Sequence, residues 1–580
     1  MAENTVSGIS QSLFFQPAIT FSGLGSGIDS QSIITKLVEV ESRHIQRLES
    51  WKAEWTAKIT ALQTINNKLA NFRRVAAALN TPAKFHVKTA SSGNPAMLTV
   101  TVSATAATGT HQVLVNQLAQ TEIEVHAGLS AATAVINASG TSRTFAFRYA
   151  GGEPITVTVP DQATLQDLAD AINASGANPG VTALVLDLGP AYTTDRYRLM
   201  LRGNDSGSDH TIVVDDTLTT LDGTEGTENF RGAAFTETQT ARNAQVRVDG
   251  YPPDAWIERP GNAINDLLPG VTLNLHAASS SPVTISVASD PAAMQQKIQE
   301  LVTAYNEVVA YLRDQTKYDR NTGKAGVLFG NYAVQIIKSE LTAIATGNAP
   351  GFRDPQDMFL SLSQIGITTD VNETSETFGQ LLIDVDTLGQ ALSSHSQDVA
   401  RLMSAYFRGV SDDSSGNISY YSSIPGITQP GTYAVEATVS DGAIVSGTIN
   451  SHPATISGDT LTGQSGYPEN GLAVRINLTD GTYSATVRLQ LGINGQFKER
   501  LDELLSASSG PINILIDNYS DIVGSLDAKI AFEQRRVEGV RQRLLEQFTR
   551  LEAVLARLND QANYLANHLQ NLGTAAPKRT

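Results

Sequence analysis

Residues 30–81 contain neither proline nor glycine, and this stretch constrains the fold more than any other. From Leu48 an apolar 3–4 repeat runs through Trp51, Trp55, Leu62, Ile65, Leu69, Phe72, Ala76 and Leu79, with Lys58 as its one charged member. Upstream, Ile33, Leu37, Val40 and His44 keep the spacing, and an extra step of four at His44 reads as a stutter. Asp29 and Ser30 supply N-cap chemistry, and Pro82 ends the run. The spacing predicts one helix, about 75 Å long if continuous. Its stripe calls for other helices to pack on.

A second stripe closes the chain. Val537, Val540 and Leu544 begin it, and Phe548, Leu551, Leu555, Leu558, Ala562, Leu565, Leu569 and Leu572 continue it. No proline interrupts between Pro511 and Pro577, although Gly524 and Gly539 are expected weak points. Two terminal helices that each lack a partner satisfy one another if the chain doubles back. The expected assembly seam is therefore Leu48, Trp51, Trp55, Leu62, Ile65, Leu69, Phe72, Phe548, Leu551, Leu555, Leu558, Leu565, Leu569 and Leu572. Periodicity leaves two readings open, a hairpin within one chain and a contact between copies.

The middle speaks a different language. Met97–Val102 and Gln112–Val115 alternate as strands do, and Gly/Ser/Thr/Asn/Pro punctuation recurs to about residue 288. Within it Leu165, Leu168, Ala169 and Ile172 share a helical face, so Arg143 to Val214 reads as a small α/β insert. Asp290-Pro291 opens a helix through Ile298, Leu301, Tyr305, Val308 and Leu312, and a further helix is expected over Tyr332–Thr346. Residues 413–497 return to strands, with Asp480-Gly481 as the expected hairpin turn. Gly109–Val115 and Gly431–Ala437 echo one another, each a Gly-Thr turn leading into an alternating strand.

The fold class expected is α+β and multidomain, with long terminal coiled-coil helices forming a stalk and β-rich domains inserted between them. The 580 residues suit about three to five domains. They divide into a tail at 1–29 and a helical stalk domain from 30–82, 290–412 and 498–575. The rest is a β-rich plate domain from 83–130 and 235–289, an α/β insert at 131–234 and an additional β insertion at 413–497.

Composition excludes several chemistries. There is no cysteine, so there is no disulfide scaffold, thiolate metal site or cysteine nucleophile. No apolar run is long enough to span a membrane, and Met1–Gln16 lacks the pattern of a secretory signal peptide. Net charge is −17, and residues 82–526 carry −22 of charge between two slightly basic ends. An acidic middle repels phosphate backbones, so nucleic acid is not an expected partner. Gly23–Gly27 precedes a helix but lacks a dinucleotide fingerprint, because position 28 is isoleucine. The histidines are scattered and make no metal-ligand spacing. The acidic run Asp205, Asp209, Asp215, Asp216, Asp222, Glu225 and Glu228 reads as a solvated face. No catalytic, cofactor-binding or metal-ligating residue is assigned, and no enzyme activity is expected.

Three blocks carry a resemblance. Phe21-Ser22-Gly23-Leu24-Gly25-Ser26-Gly27-Ile28-Asp29, running into a heptad helix, resembles the start of the bacterial flagellar filament cap proteins, the flagellar hook-associated protein 2 family. Ala244–Gly250 with Asn262–Leu273, and Leu362–Thr368 with the closing coiled-coil stretch, resemble that family's middle and C-terminal regions. Gly109 to about Val214 resembles the hook-type insert of flagellar axial proteins, whereas 413–497 departs from the pattern. The resemblance implies export by the flagellar apparatus and a ring at the filament tip, usually a pentamer. It implies flagellin, the hook–filament junction proteins and a cytoplasmic export chaperone as partners, and in some members mucin or host surfaces. The work implied is holding flagellin while it folds into place and preventing its leakage, without covalent chemistry. A hook–filament junction or other axial protein, or a β-rich adhesin on a helical stalk, is the alternative.

Overall fold

A computed structural model describes residues 29–319 and 322–573, apart from the side chains of the last four. The expected tail at 1–29 lies outside it except for Asp29. Helices α1 (Ser30–Ala78), α2 (Pro82–Phe85), α3 (Leu165–Ala174), α4 (Pro291–Thr316), α5 (Tyr332–Thr346), α6 (Val385–Ser394), α7 (Ser396–Ser404), α8 (Ile493–Leu504) and α9 (Pro511–Gly573) follow in chain order. Asp29 caps α1 by accepting from Ser32 N–H at 3.0 Å, and Asp290 caps α4 through Ala293 N–H at 2.9 Å. Helix α9 runs unbroken through Gly524 and Gly539, so the two glycines do not interrupt it.

The helical domain has its own core. Leu62, Ile65, Leu69 and Phe72 of α1 pack with Met294, Ile298 and Tyr305 of α4, and with Phe497 and Leu501 of α8. Phe72 holds the centre, its ring 4.8 Å from Phe497 and 5.9 Å from Tyr305. Burial pushes the Tyr305 phenol up to about 12.

The first β domain comprises β1 (Lys88–Ser92), β2 (Leu98–Val102), β3 (Gly109–Gln117), β4 (Ala244–Val248), β5 (Ile257–Arg259), β6 (Ala263–Leu268), β7 (Val271–Leu275) and β8 (Val283–Ser289). Five strands form one antiparallel sheet in the order β1-β8-β3-β4-β5, and β6-β7-β2 form the facing sheet. Alternate residues such as Val113, Val115, Val246 and Ile285 fill the space between.

The second β domain comprises β9 (Arg408–Ser411), β10 (Ile418–Ser422), β11 (Gly431–Ser440), β12 (Ala443–Ile449), β13 (His452–Pro453), β14 (Thr455–Ser457), β15 (Thr460–Thr462), β16 (Ala473–Ile476) and β17 (Gly481–Gln490). Its sheets are β9-β17-β11-β12-β13 and β10-β16-β15-β14. This is the topology of the first β domain with one added edge strand. In each, the first and last strands pair beside the central strand, which opens on the Gly-Thr echo at Gly109 or Gly431.

Two features of this domain differ from the sequence expectation. Asp480-Gly481 does not join paired strands, because β16 and β17 lie in opposite sheets. The hairpin turn is Asp441-Gly442, with φ of 52° and 70°, and Asp480 accepts a hydrogen bond from Gly442 N–H at 3.1 Å. The expected boundary at 497 also falls inside α8, whose Ile493 and Phe497 belong to the helical core.

The α/β insert leaves the first β domain between β3 and β4, where the second has its two-residue turn. A four-stranded sheet (Phe235–Gln239, Ile123–His126, Tyr197–Gly203, Val181–Asp187) and a three-stranded sheet (Ile155–Val159, Arg143–Tyr149, Ile212–Val214) enclose a core with α3. Its first and last strands thus reach past the expected 131–234 limits, because Ile123–His126 pairs with Phe235–Gln239. Among the described residues no helix is long and apolar enough to cross a membrane.

Candidate assembly surface

Helices α1 and α9 form an antiparallel hairpin with one register throughout. Asn66 Nδ2 donates to Asn513 Oδ1 at 2.6 Å, Lys52 pairs with Asp527 at 2.6 Å, and Arg536 donates to Glu41 at 2.9 Å. At the far end Ser30 Oγ donates to Glu552 at 2.6 Å. Between these polar rungs Ile45 and Leu48 pack on Leu526, Ile530 and Val537. Trp55 presents its ring edge-on to Tyr519 with centroids 4.9 Å apart, and Lys58 Nζ lies 4.2 Å from the Trp55 ring.

The upstream seam is displaced by one residue from the sequence reading. Ile33, Leu37 and Val40 are exposed, while Ile34 and Ile45 are buried and Val38 is partly so. The 4–3 spacing in fact runs Ile34, Val38, Glu41, Ile45, Leu48, Lys52, Trp55, without a stutter at His44. Two of its members are charged, and both are ion-paired to α9. A search for apolar positions passes over them.

The fourteen expected seam residues divide three ways. Leu62, Ile65, Leu69 and Phe72 are buried in the helical domain's own core, so they offer no surface to a second chain. Leu48 and Trp55 are spent on α9. The third group has little intrachain cover: Trp51 is 58% exposed, Leu558 54%, Leu565 60% and Leu569 68%, with Leu551 likewise exposed. Phe548 and Leu555 are half-buried. Leu572 lies in the last turn of α9, and its side chain is outside the described residues. Past Glu552, α9 continues for some twenty residues with no described helix alongside.

Most of the insert's acidic run is solvated as expected, with Asp205, Asp209, Asp216, Glu225 and Glu228 exposed, but Asp215 and Asp222 are drawn into the fold. Asp215 is buried, pairs with Arg148 at 3.0 Å and accepts from Thr217 N–H, and these bonds hold its carboxyl below the usual range, the Thr217 hydroxyl foremost. Asp222 caps a turn through Thr224, and Glu225 pairs with Arg143 at 2.5 Å. A different acidic group carries the tension. Glu124 and Glu237 face one another across paired strands, with Glu122 beside them. Burial first, then the charges of Glu122 and Glu237, raise the Glu124 carboxyl to about 7.

The joint between the second β domain and the helices also went unread in the sequence. Arg488, 4% exposed, donates to Asp357 and to Asp412, with a further bond to the Gly351 carbonyl at 3.2 Å. Gln490 Nε2 donates to the other Asp357 oxygen at 3.0 Å. Gly351, at φ 78°, has no room for a side chain, since a Cβ there would collide with the Leu489 carbonyl.

Family models match the chain in three places. Residues 26–122 match the N-terminus of flagellar hook-associated protein 2, 241–560 its C-terminus, and 144–219 the flagellin hook IN motif. The Escherichia coli K12 flagellar hook-associated protein 2 is 26% identical over 436 residues, 73% of this chain and 88% of that one. The A-type protein of Pseudomonas aeruginosa is 24% identical over 580 residues, 95% of this chain and 98% of that one. Among solved structures, the D1-D2-D3 domains of the Escherichia coli flagellar cap protein FliD superpose with a TM-score of 0.51 at 22% identity, covering 79% of this chain and 99% of that one, a likeness of fold. The C-terminal model alone spans more than half of the residues, and the chain belongs to the flagellar hook-associated protein 2 family.

Proposed function

We propose that this chain caps the distal end of a bacterial flagellar filament, as a structural part that guides exported flagellin into place and prevents its loss. Copies of the chain form a pentameric ring, with the β domains as a plate and the helical hairpins as legs. The observation that carries this reading is the ridge of α9. Leu551, Leu558, Leu565 and Leu569 stand exposed on one long helix, at the end of the hairpin away from the β domains. Leaving several half-exposed leucines in water forgoes roughly half of the about 1.5–3 kcal/mol that full burial gives each, which a neighbouring subunit or flagellin would recover. Export by the flagellar apparatus with a cytoplasmic chaperone, and seating on the hook–filament junction proteins before filament growth, complete the proposal.

Electron microscopy of the purified chain tests it directly, with ring-shaped plates as the expected particle. Deletion in the producing bacterium should release monomeric flagellin into the medium and leave short filaments, and the intact chain should restore growth and label tips. Filaments of the chain itself, or label at the filament base, would instead indicate another axial role.

A further inference from the structure

The two β domains leave the helical domain side by side, and a cavity of about 520 Å³ lies where they do. His86 and Lys88 from the start of the first β domain, Thr105 from its β2–β3 turn, Gln397 and Arg401 of α7, and Arg408 of β9 line it. Three of these side chains are cationic and no carboxylate is among the lining residues, in a chain of net charge −17.

These cations are unevenly matched. Arg401 is paired with Asp398, and Lys88 Nζ donates to the Ala106 carbonyl, a neutral partner. Arg408 donates to Gln490 Oε1 at 2.8 Å, also neutral, and has no carboxylate within ion-pair distance among the described residues. The acid whose charge it feels, Asp357, is held by Arg488 and Gln490. Arg408 keeps an exposed face, and partial desolvation with the like charges of Arg401 and Arg488 weakens its hold on its proton. On the same wall His86 Nδ1 is buried without a hydrogen-bond partner, while Nε2 lies 3.5 Å from Ser289 Oγ. Converging donors with unmet positive charge, in a roomy cavity, are what an oxyanion needs.

We propose that this cavity at the neck of the molecule is an oxyanion-binding site, in which Arg408 and Lys88 hold a carboxylate or phosphate group. The walls come from the helical domain and both β domains, so a bound anion ties all three together. The anion is either a free solute or a carboxylate side chain of a second copy, and the two sources separate experimentally.

Citrate and inorganic phosphate serve as probes in calorimetric titration of the full chain at low salt. Saturable binding is expected, weakened about tenfold by Arg408→Gln and by Lys88→Gln, each of which removes a charge-assisted hydrogen bond. Both side chains are partly exposed, and unchanged unfolding midpoints would show that the variants fold. Arg196→Gln, in the insert, should leave binding unchanged. Particle sizing then identifies the source. Rings loosened by Arg408→Gln and by millimolar citrate mean that a neighbouring copy supplies the carboxylate, whereas rings indifferent to both mean a free anion. No saturable binding of either probe, or binding that both cavity variants leave intact, overturns the site.

Discussion

Arg488 shows how much a single buried side chain decides. Its guanidinium is shared between Asp357 and Asp412 at the seam of two domains, with almost no water to screen it. Such a pair is weak evidence for stability in itself, and removing Asp357 leaves Arg488 leaning on Asp412 alone. Asp357→Ala should cost about 1.5–3 kcal/mol, the loss of a charge-assisted hydrogen bond, read from urea unfolding, and hydrogen exchange should show the loss concentrated along β9 and β17. Adding Arg488→Met together with Asp412→Asn should restore much of it, because no charge is then left unpaired at the seam. A change near zero for Asp357→Ala alone would mean that water already reaches the pair. Glu124 makes the opposite statement, a carboxyl whose folded value of about 7 lies above its ordinary 4.5. Between those values the folded chain binds a proton that the unfolded chain does not, so the stability gained is present below about 4.5 and lost as pH rises through about 7. Glu124 should therefore favour the insert at pH 5 over pH 8, by about 1–2 kcal/mol relative to Glu124→Gln once partial solvent screening is allowed for, against the opposite trend of the buried His126 imidazole, whose hold on its proton burial weakens. Protection factors for Arg143–Tyr149, corrected for intrinsic exchange, measure this, and Glu124→Gln should remove the Glu124 contribution from the profile. An unchanged profile in that variant would place the pH sensitivity elsewhere.

On the scale of elements, one sequence stripe holds residues with opposite duties, and packing alone separates them. Leu69 and Leu558 both sit on an apolar heptad stripe. The first is fully buried against α4 and α8, the second mostly in water. Leu69→Ala should cost about 2–5 kcal/mol and destabilise the helical domain. Leu558→Asp should change stability by no more than about 0.5 kcal/mol and instead abolish ring formation, seen as monomers in sedimentation. A destabilised Leu558→Asp monomer would assign the ridge to intrachain packing. The helices themselves were legible because proline, glycine and capping residues set their ends; Asp290-Pro291 and Tyr332–Thr346 lie where the pattern puts them. The face of each helix was less legible. The α1 seam hides behind Glu41 and Lys52, whose apolar stems and ion pairs do what leucines do elsewhere. Nor does periodicity say which partner a stripe meets, since α4, α8 and α9 all present similar ridges.

For the molecule as a whole, the recurrence of one β topology is the organising fact, and only a seven-residue echo signalled it in the sequence. Strand pairing is non-local, so the shared order of β1–β8 and β9–β17 emerges only once partners are known. Both copies are plugged into the helices by their first and last strands, and the first carries the insert where the second has the Asp441-Gly442 turn. A domain held in this way can be removed if the cut respects its roots. The roots are close: Gly492 N–H donates to the Ala405 carbonyl at 2.7 Å, immediately outside the second β domain. Joining Ala405 to Gly492 through a short Gly/Ser linker therefore closes a loop at little entropic cost. A cut at 413–497 would instead remove Ile493 and Phe497 from the helical core and unfold it. Asp357 must change with the excision, because losing Arg488 leaves its carboxylate buried and unpaired; Asp357→Asn removes that charge. The shortened chain should fold, with helical circular dichroism retained and a single cooperative unfolding of the helical domain. It should still assemble into rings and support filament growth, because the exposed ridge of α9 and the first β domain are untouched. A folded product that stays monomeric would place the second β domain in the contact between subunits, where its likeness to the first would make it a second tier of the plate.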